Sequence, residues 1–216
     1  MNKKLNEIQK IMETHKNEIL KDMKLSIVIP VYNEEKTLRS VYQSLTQVDF
    51  RVNEVEIIFV DDCSKDHSKT IIEDLAKNDP RIRYFFKEKN EGKGSALQMG
   101  IQNTSGDIII VQDADLEYNP EDMVPLVQLI INNKADVVYG SRFSSMSSQV
   151  CRFYHYLGNK ILTVFSNFFS DIRLTDMETC YKCFRAEIIK NIIITSKTIN
   201  DRLSVQRTII RHIKIH

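Results

Sequence analysis

Short apolar runs alternate with amphipathic segments along the first two thirds of the chain. Runs of β-branched and aliphatic residues predict buried strands, and apolar residues recurring three and four positions apart predict helices between them. The predicted strands are Leu25–Pro30, Val55–Val60, Arg81–Phe86, Ile108–Val111 and Ala135–Tyr139. The predicted helices are Thr37–Val48, Ser68–Lys77, Ser95–Gln102 and Glu121–Asn132. Because short connections join these elements, the alternation predicts a three-layer α/β fold around a mostly parallel sheet.

Polar residues follow several of the predicted strands at the point where each strand ends. They form four clusters, Tyr32–Glu34, Asp61–Ser64, Asp113–Asp115 and Ser141–Arg142. The carboxyl ends of parallel strands meet at one edge of a sheet, and open α/β sheets bind their ligands at that edge. The four clusters are therefore predicted to form one site.

The acidic cluster after Ile108–Val111 is a candidate for metal chemistry. Asp113 and Asp115 are separated by one residue, and Glu117 follows at the same spacing. Carboxylates this close repel one another unless a cation lies between them, and hard oxygen ligands suit Mg²⁺ or Mn²⁺. The alternative interpretation is a solvated acidic loop that caps the next helix, since residues 119–122, NPED, are a helix-start sequence.

The remaining segments divide the chain into three predicted parts. Residues 1–23 are polar with one narrow apolar stripe, which predicts a short N-terminal helical extension. Residues 24–194 form the predicted folded domain, and residues 195–216 form a basic tail. Within the domain, Arg152–Phe169 carries apolar residues through a helical span, as a buried core helix does. Because its apolar density exceeds a single stripe, an interfacial helix that touches lipid is the alternative.

Composition limits the expected location and partners. The formal net charge of +1 gives no bulk attraction to nucleic acid or to an anionic membrane, so any basic site must be local. No apolar run approaches the roughly 18–20 residues that span a bilayer, and the charged N-terminus differs from a signal peptide. The expected location is therefore cytoplasmic. Cys180 and Cys183 have C-x-x-C spacing, but no second pair of ligands accompanies them at the spacing of a zinc site.

Six motifs in order resemble those of family-2 glycosyltransferases with the GT-A fold. The motifs are IVIPVYNEE, FVDDCSKD, NEGKGSAL, VQDADLEYNPED, VVYGSRF and LTDMETCYKCFR. Within that family they resemble the polyprenyl-phosphate sugar synthases, such as dolichyl-phosphate mannose synthase and its bacterial glucose-transferring relatives. The resemblance covers roughly residues 24–190, so it identifies residues 24–194 as a family-2 catalytic domain.

The resemblance implies a nucleotide-sugar donor of the GDP-mannose or UDP-glucose type, a divalent metal, and inversion at the anomeric carbon. A nucleoside diphosphate leaves readily only when its growing negative charge is neutralised, and a bound cation supplies that as a Lewis acid. Asp115 is the first candidate for a metal ligand, and Asp113 is the second. Glu117 lies where relatives have a further polar residue that contacts the metal.

Residues at the first strand ends resemble the donor-binding residues of the family. Pro30, Tyr32 and Glu34 match the loop under the nucleoside, and Asp62 matches the acid that contacts the base or the ribose. Carboxylates accept hydrogen bonds from ring N–H groups and ribose hydroxyls, although an Asx turn is the alternative reading of Asp61–Asp62. Lys93 lies between two glycines before a predicted helix, where its ammonium could meet a phosphate or sugar oxygen. A flexible turn with a solvated lysine is the alternative.

The acceptor implied by the resemblance is a polyprenyl phosphate at the membrane surface, so peripheral contact with the inner face of the membrane is expected. A phosphate is already anionic at neutral pH and needs cationic positioning more than a strong base. Arg142 and Arg152 are the candidates, since arginine binds phosphate through two hydrogen bonds. Asp176 would be the general base if the acceptor were a hydroxyl group, and a helix N-cap is its structural alternative.

The resemblance stops after Ile194. Relatives continue with a Phe-Gly-Phe-Glu-like segment and a basic stretch, whereas this chain reads TSKTINDRLSVQRTIIRHIKIH. An inactive nucleotide-sugar-binding fragment is therefore the alternative to an active transferase.

Overall fold

The computed structural model describes residues 23–116, 118–140 and 181–195. The described strands are β1 (Lys24–Val31), β2 (Glu54–Asp61), β3 (Ile82–Phe86), β4 (Ile108–Val111), β5 (Val137–Tyr139) and β6 (Lys182–Arg185). The described helices are α1 (Leu38–Thr46), α2 (Ser68–Asn78), α3 (Lys93–Gln102), α4 (Met123–Ile131) and α5 (Ala186–Thr195), with a 3-10 turn at Pro120–Asp122. The predicted N-terminal extension and basic tail lie outside the described residues, apart from Met23 and Thr195.

The strands form one six-stranded sheet in the order β3-β2-β1-β4-β6-β5. The strands β3, β2, β1 and β4 are parallel, as the alternating pattern predicts. The strand β6 was not predicted, and it lies antiparallel between β4 and β5. The predicted strand Ala135–Tyr139 is shortened to Val137–Tyr139, and its hydrogen-bonded neighbour is β6. The sheet is therefore mostly parallel, with its antiparallel pairs confined to one side.

The core lies on both faces of the central strands. All four residues of β4 are buried, as are all residues of β1 after Lys24. Successive residues of a strand point to opposite faces. Ile27 and Ile29 pack with residues of α1, α2 and α4, whereas Val28 packs with residues of α3 and α5. These two layers of helices around the sheet make the predicted three-layer arrangement.

Two local features fix the packing around β1. The helix α3 packs so closely that a Cβ atom at Gly100 would overlap the side chain of Val28, and only glycine fits there. Pro30 is buried near the end of β1 and lacks a backbone N–H. The pairing of β1 with β4 ends at Val28 and Val111. The missing N–H of Pro30 therefore interrupts no backbone hydrogen bond between these two strands.

Asp79 joins the end of α2 to α1 and to the start of β3. Its carboxylate accepts hydrogen bonds from the Arg81 guanidinium at 2.7 and 2.9 Å and from the Tyr42 hydroxyl at 2.9 Å. The hydrogen bond from the Arg81 side chain is the main reason that the pKa of Asp79 falls to about 2. Since this pKa is depressed in the folded state, the stabilisation is present above about pH 4 and is lost as the pH falls towards 2.

We expect Asp79→Asn to lower the free energy of unfolding by about 1–2 kcal/mol at pH 6, because the Arg81 partner is half exposed and partly screened by water. The difference from the wild type should shrink towards zero at pH 2.5. Urea unfolding at both pH values measures it. The control is Asp74→Asn, which removes an exposed pair with Arg39. A difference for Asp79→Asn that is equal at the two pH values would contradict the prediction.

Candidate functional site

The loop after β1 and the loop after β2 are joined by hydrogen bonds at the carboxyl edge. The backbone N–H of Asn33 donates to Ser64 Oγ at 2.9 Å, and that of Glu34 donates to Ser68 Oγ at 2.9 Å. The bond in the other direction runs from the backbone N–H of Lys65 to Asn33 Oδ1 at 2.8 Å. The first two predicted polar clusters are therefore neighbours, as the strand-end argument requires.

Both loops contain a residue with a positive φ angle. The φ angle of Asn33 is 56° and that of Cys63 is 64°, in the left-handed region that most side chains disfavour. The Cys63 thiol donates to the carbonyl oxygen of Glu88 at 3.4 Å, which holds this turn against the segment after β3. These turns direct the two loops along the edge of the sheet.

The three residues assigned to the nucleoside loop differ in accessibility. Tyr32 is 43% exposed and can offer a ring face to a ligand. The Glu34 carboxylate is partly buried and accepts the Thr37 hydroxyl at 2.8 Å. Pro30 is buried below them in β1. The structure thus places all three at the end of β1, with Tyr32 the most open to solvent.

Asp62 connects the end of β2 to the loop before α3. Its Oδ1 atom accepts the backbone N–H of Glu91 at 3.1 Å, and its Oδ2 atom accepts that of Gly92 at 2.6 Å. The Lys87 ammonium lies 2.9 Å from Oδ1. These partners of Asp62 are distant in sequence, unlike those of an Asx turn. Asp61, by contrast, has a local turn bond, because its Oδ2 atom accepts the backbone N–H of Ser64 at 3.0 Å.

Lys93 is the first residue of α3 and not, as predicted, part of a loop before a helix beginning at Ser95. The helix starts early because Gly92 is its N-cap, with φ 89° and ψ 164°, and the Gly92 carbonyl oxygen accepts the backbone N–H of Ser95. Such angles are open almost only to glycine. The Lys93 ammonium forms an ion pair with Asp113. One connected chain of contacts therefore runs from Asp62 through Gly92 and Lys93 to Asp113.

The acidic cluster follows the buried end of β4. Ala114 is buried in the core, and it separates the partly exposed Asp113 and Asp115. The next segment is capped by the side chain of Asn119, which accepts the backbone N–H of Glu121 at 3.1 Å. The predicted helix start is thus confirmed as a 3-10 turn, Pro120–Asp122, which leads into α4 at Met123.

The donor set at this edge fits a divalent metal that also binds phosphate. Asp113 and Asp115 offer hard carboxylate oxygens, and Glu117 lies outside the described residues. Among residues 23–116, 118–140 and 181–195, no three His, Cys, Asp or Glu side chains converge as a metal-binding group. Magnesium and manganese are commonly held by one or two carboxylates with substrate phosphates and water. The two aspartates would therefore hold such an ion together with a bound diphosphate.

The acceptor-side candidates Arg142, Arg152 and Asp176 lie outside the described residues. The described chain reaches Gly140, whose backbone N–H donates to the Tyr181 carbonyl oxygen at 2.9 Å. Lys182 lies over the Tyr139 ring, with Nζ 5.8 Å from the centroid.

Of the C-x-x-C pair only Cys183 is described, and its burial in β6 raises the pKa of the thiol. Such a thiol is a poor metal ligand or redox group.

A sequence model described as Glycosyl transferase family 2 matches residues 26–193, which contain every described strand except the first residues of β1. The chain belongs to this family.

Two glycosyltransferases are also similar in sequence to this chain. The bactoprenol glucosyl transferase of Shigella phage SfX is 33% identical over 147 residues, which are 65% of this chain and 48% of that protein. The dolichol-phosphate mannosyltransferase of Pyrococcus furiosus is 34% identical over 121 residues, which are 56% of this chain and 34% of that protein. The chain thus spans half or less of the length of these curated relatives.

Solved structures confirm the GT-A fold. Staphylococcus aureus TarS (residues 1–349) has a TM-score of 0.59 and 24% identity, over 86% of this chain and 55% of that one. The glucosyl-3-phosphoglycerate synthase of Mycobacterium tuberculosis, in complex with Mn²⁺, UDP and phosphoglyceric acid, has a TM-score of 0.59 and 21% identity. That match covers 81% of this chain and 60% of that one.

No described helix is both long and apolar enough to cross a membrane.

Sequence reasoning missed Lys87, which contacts Asp62 inside the site. Lys87 directly follows β3, so the rule that found the polar clusters at the other strand ends also applies to it. The surrounding letters, Lys87-Glu88-Lys89, are typical of a solvated charged turn, and this concealed one buried lysine.

Proposed function

We propose that the chain is a metal-dependent inverting glycosyltransferase that moves a hexose from a nucleotide sugar, of the GDP-mannose or UDP-glucose type, to a polyprenyl phosphate. The observation that carries the proposal is the connected set Asp62, Gly92, Lys93 and Asp113, which joins the ends of β2 and β4 through the start of α3 at one edge of the sheet. The names of the Shigella phage and Pyrococcus furiosus relatives, which act on bactoprenol and dolichol phosphate, support the acceptor class.

On the donor side, Tyr32, Glu34 and Asp62 bind the nucleoside, with Pro30 shaping the floor of the pocket. Asp113, Asp115 and Glu117 hold Mg²⁺ or Mn²⁺ beside the diphosphate. When bound, this cation neutralises the negative charge that grows on the leaving diphosphate. The Lys93 ammonium, which already lies against Asp113, adds a second positive charge at that position.

On the acceptor side, Arg142 and Arg152 orient the anionic lipid phosphate for attack on the anomeric carbon. Attack from the face opposite the nucleoside diphosphate inverts that carbon. Because the phosphate needs no deprotonation, Asp176 acts by orienting the sugar or the arginines. The enzyme then works at the inner face of the membrane, where a lipid acceptor would present its head group.

The test is a donor panel read by calorimetry with MnCl₂, followed by transfer from the bound donor to undecaprenyl phosphate in detergent. We expect one of GDP-mannose or UDP-glucose to bind and its hexose to appear on the lipid. No binding of any donor with metal present would overturn the proposal. Donor binding without turnover would identify an inactive nucleotide-sugar-binding fragment.

The variant Asp176→Asn separates the two acceptor classes. With a phosphate acceptor, we expect kcat to stay within about tenfold of the wild-type value, because general-base catalysis contributes on the order of 10²–10⁴-fold only where a proton must be removed. Radiolabelled hexose on undecaprenyl phosphate measures kcat. A loss beyond about 1,000-fold on this acceptor would contradict the orienting role proposed for Asp176, and undetectable wild-type transfer to undecaprenyl phosphate would favour a hydroxyl acceptor with Asp176 as its base.

A further inference from the structure

Lys87 is a buried lysine with its charge fully paired. It directly follows β3 and is only 6% exposed. A buried ammonium is costly unless every N–H finds an acceptor. The Lys87 Nζ atom lies 2.9 Å from Asp62 Oδ1, 2.8 Å from Glu91 Oε2 and 2.7 Å from Ser95 Oγ. These three acceptors match the three N–H groups of an ammonium.

The partners of Lys87 come from separate elements at the candidate site. Asp62 follows β2, Glu91 belongs to the loop before α3, and Ser95 lies in the first turn of that helix. The Ser95 hydroxyl also donates to Glu91 Oε2 at 3.0 Å, which closes the cluster. The hydrogen bond from Lys87 is the main reason that the pKa of Glu91 falls to about 2, so this carboxylate is ionised at neutral pH.

The Asp62 carboxylate connects Lys87 to the backbone at the start of α3. Besides the Lys87 ammonium, it accepts the backbone N–H groups of Glu91 and Gly92. A carboxylate has about four acceptor positions, and these contacts occupy three of them. Gly92 has a conformation almost unique to glycine, and the next residue is Lys93. The location of the Lys93 ammonium beside Asp113 therefore depends on a carboxylate that Lys87 holds.

We propose that Lys87 is a positioning residue for the nucleoside diphosphate: it holds Asp62 and the turn at Gly92 so that one ligand meets Asp62 and Lys93 together. The inference rests on the proposed function and deepens it. The role assigned to Lys87 is exerted through its contacts with Asp62, Glu91 and Ser95. Its removal leaves Asp62 as a buried carboxylate with backbone partners alone, which loosens the turn.

The experiment compares Lys87→Met, which keeps the apolar stem, with Lys89→Met. Lys89 is 80% exposed and pairs with the same Glu91 at 3.4 Å, so it is a matched control. We expect UDP or GDP, whichever the wild type binds in MnCl₂, to bind about tenfold to thirtyfold more weakly to Lys87→Met. The control should remain within about twofold. In turnover, KM for the donor should rise by a similar factor, while kcat changes less than about threefold.

A double-mutant cycle with Asp62→Asn distinguishes positioning from a general loss of stability. If Lys87 acts through Asp62, adding Lys87→Met to Asp62→Asn should weaken diphosphate binding less than about twofold further. A purely structural Lys87 would lower the melting temperature and leave the diphosphate Kd of the single variant unchanged, which would overturn the proposal.

A substitute variant and the binding of the wild type separate a failure of the Lys87 inference from a failure of the proposed function. If Lys87→Met does not fold, Glu91→Gln removes a charge from the same cluster at an exposed position, and about threefold weaker binding is expected. An unchanged Kd for that variant would overturn the inference. If the wild type binds neither UDP nor GDP, the proposed function fails and the inference fails with it. If the wild type binds and Lys87→Met binds equally well, the inference fails alone.

Discussion

Replacing Asp115 with asparagine is expected to lower the rate of hexose transfer by about 1,000-fold, the loss typical of removing electrostatic stabilisation of a developing negative charge. The amide keeps the size of the carboxylate but removes the negative charge that a divalent cation requires. Asp115 is partly exposed one residue beyond the buried Ala114, so the fold should tolerate the change. Initial rates at saturating donor measure the loss, and urea unfolding should shift by less than about 0.5 kcal/mol.

Metal binding gives a readout that does not depend on turnover. Mn²⁺ titrated in the presence of UDP or GDP, followed by electron paramagnetic resonance, should bind at least tenfold more weakly to Asp115→Asn. The matched control is Glu121→Gln, an exposed carboxylate in the same segment whose backbone N–H, and not its side chain, bonds to Asn119. Wild-type Mn²⁺ affinity in Asp115→Asn would exclude this aspartate as a ligand.

Replacing Asp113 would have two effects. The carboxylate of Asp113 forms an ion pair with Lys93, so its replacement would both remove a metal ligand and release the ammonium at the start of α3. The two effects could not be separated by a single rate. Lys93 forms its ion pair with Asp113, and the Mn²⁺ titration of Asp115→Asn reports directly on metal binding.

The central parallel strands β1 and β4 could be predicted because they are buried and mainly apolar on both faces. The strand β4 has the predicted bounds, Ile108–Val111, since four consecutive aliphatic residues are typical of a strand that is buried on both sides. The strand β6 could not be predicted in this way. It contains only Cys183 and Phe184 between Lys182 and Arg185, and its strand conformation comes from pairing with β4 and β5.

The candidate site could be predicted to the level of strand ends but not of individual contacts. Topology brings Asp62 and Asp113 to one edge, and this follows from the parallel order alone. That Gly92 caps α3, and that Lys93 consequently begins a helix, depends on a backbone conformation that no residue pattern specifies. The burial of Lys87 depends on long-range contacts for the same reason.

Replacing Glu56 with alanine is expected to lower the free energy of unfolding by about 3 kcal/mol or more, as the loss of one partner from a buried charged network does. Glu56 is 4% exposed. Its Oε1 atom accepts the Ser26 hydroxyl and the Ser105 backbone N–H, each at 2.6 Å, and Oε2 accepts the Ser105 hydroxyl at 2.9 Å. Burial alone would raise its pKa, but the hydrogen bonds from Ser26 and Ser105 together lower it.

Glu54 on the same strand provides the control. It is closer to Lys24 than Glu56 is, but it is much more exposed, so distance and burial predict opposite orders for the stability losses of the two variants. Lys24 Nζ lies 2.7 Å from Glu54 and 3.8 Å from Glu56, so distance alone would make Glu54 the stronger partner. The Glu54 side chain is 61% exposed, and exposed ion pairs contribute about 0–1 kcal/mol. Glu54→Ala should therefore cost less than about 1 kcal/mol in urea unfolding at pH 7. Equal losses for the two variants would mean that the ion pair with Lys24, and not the buried hydrogen bonds to Ser26 and Ser105, stabilises this end of the sheet.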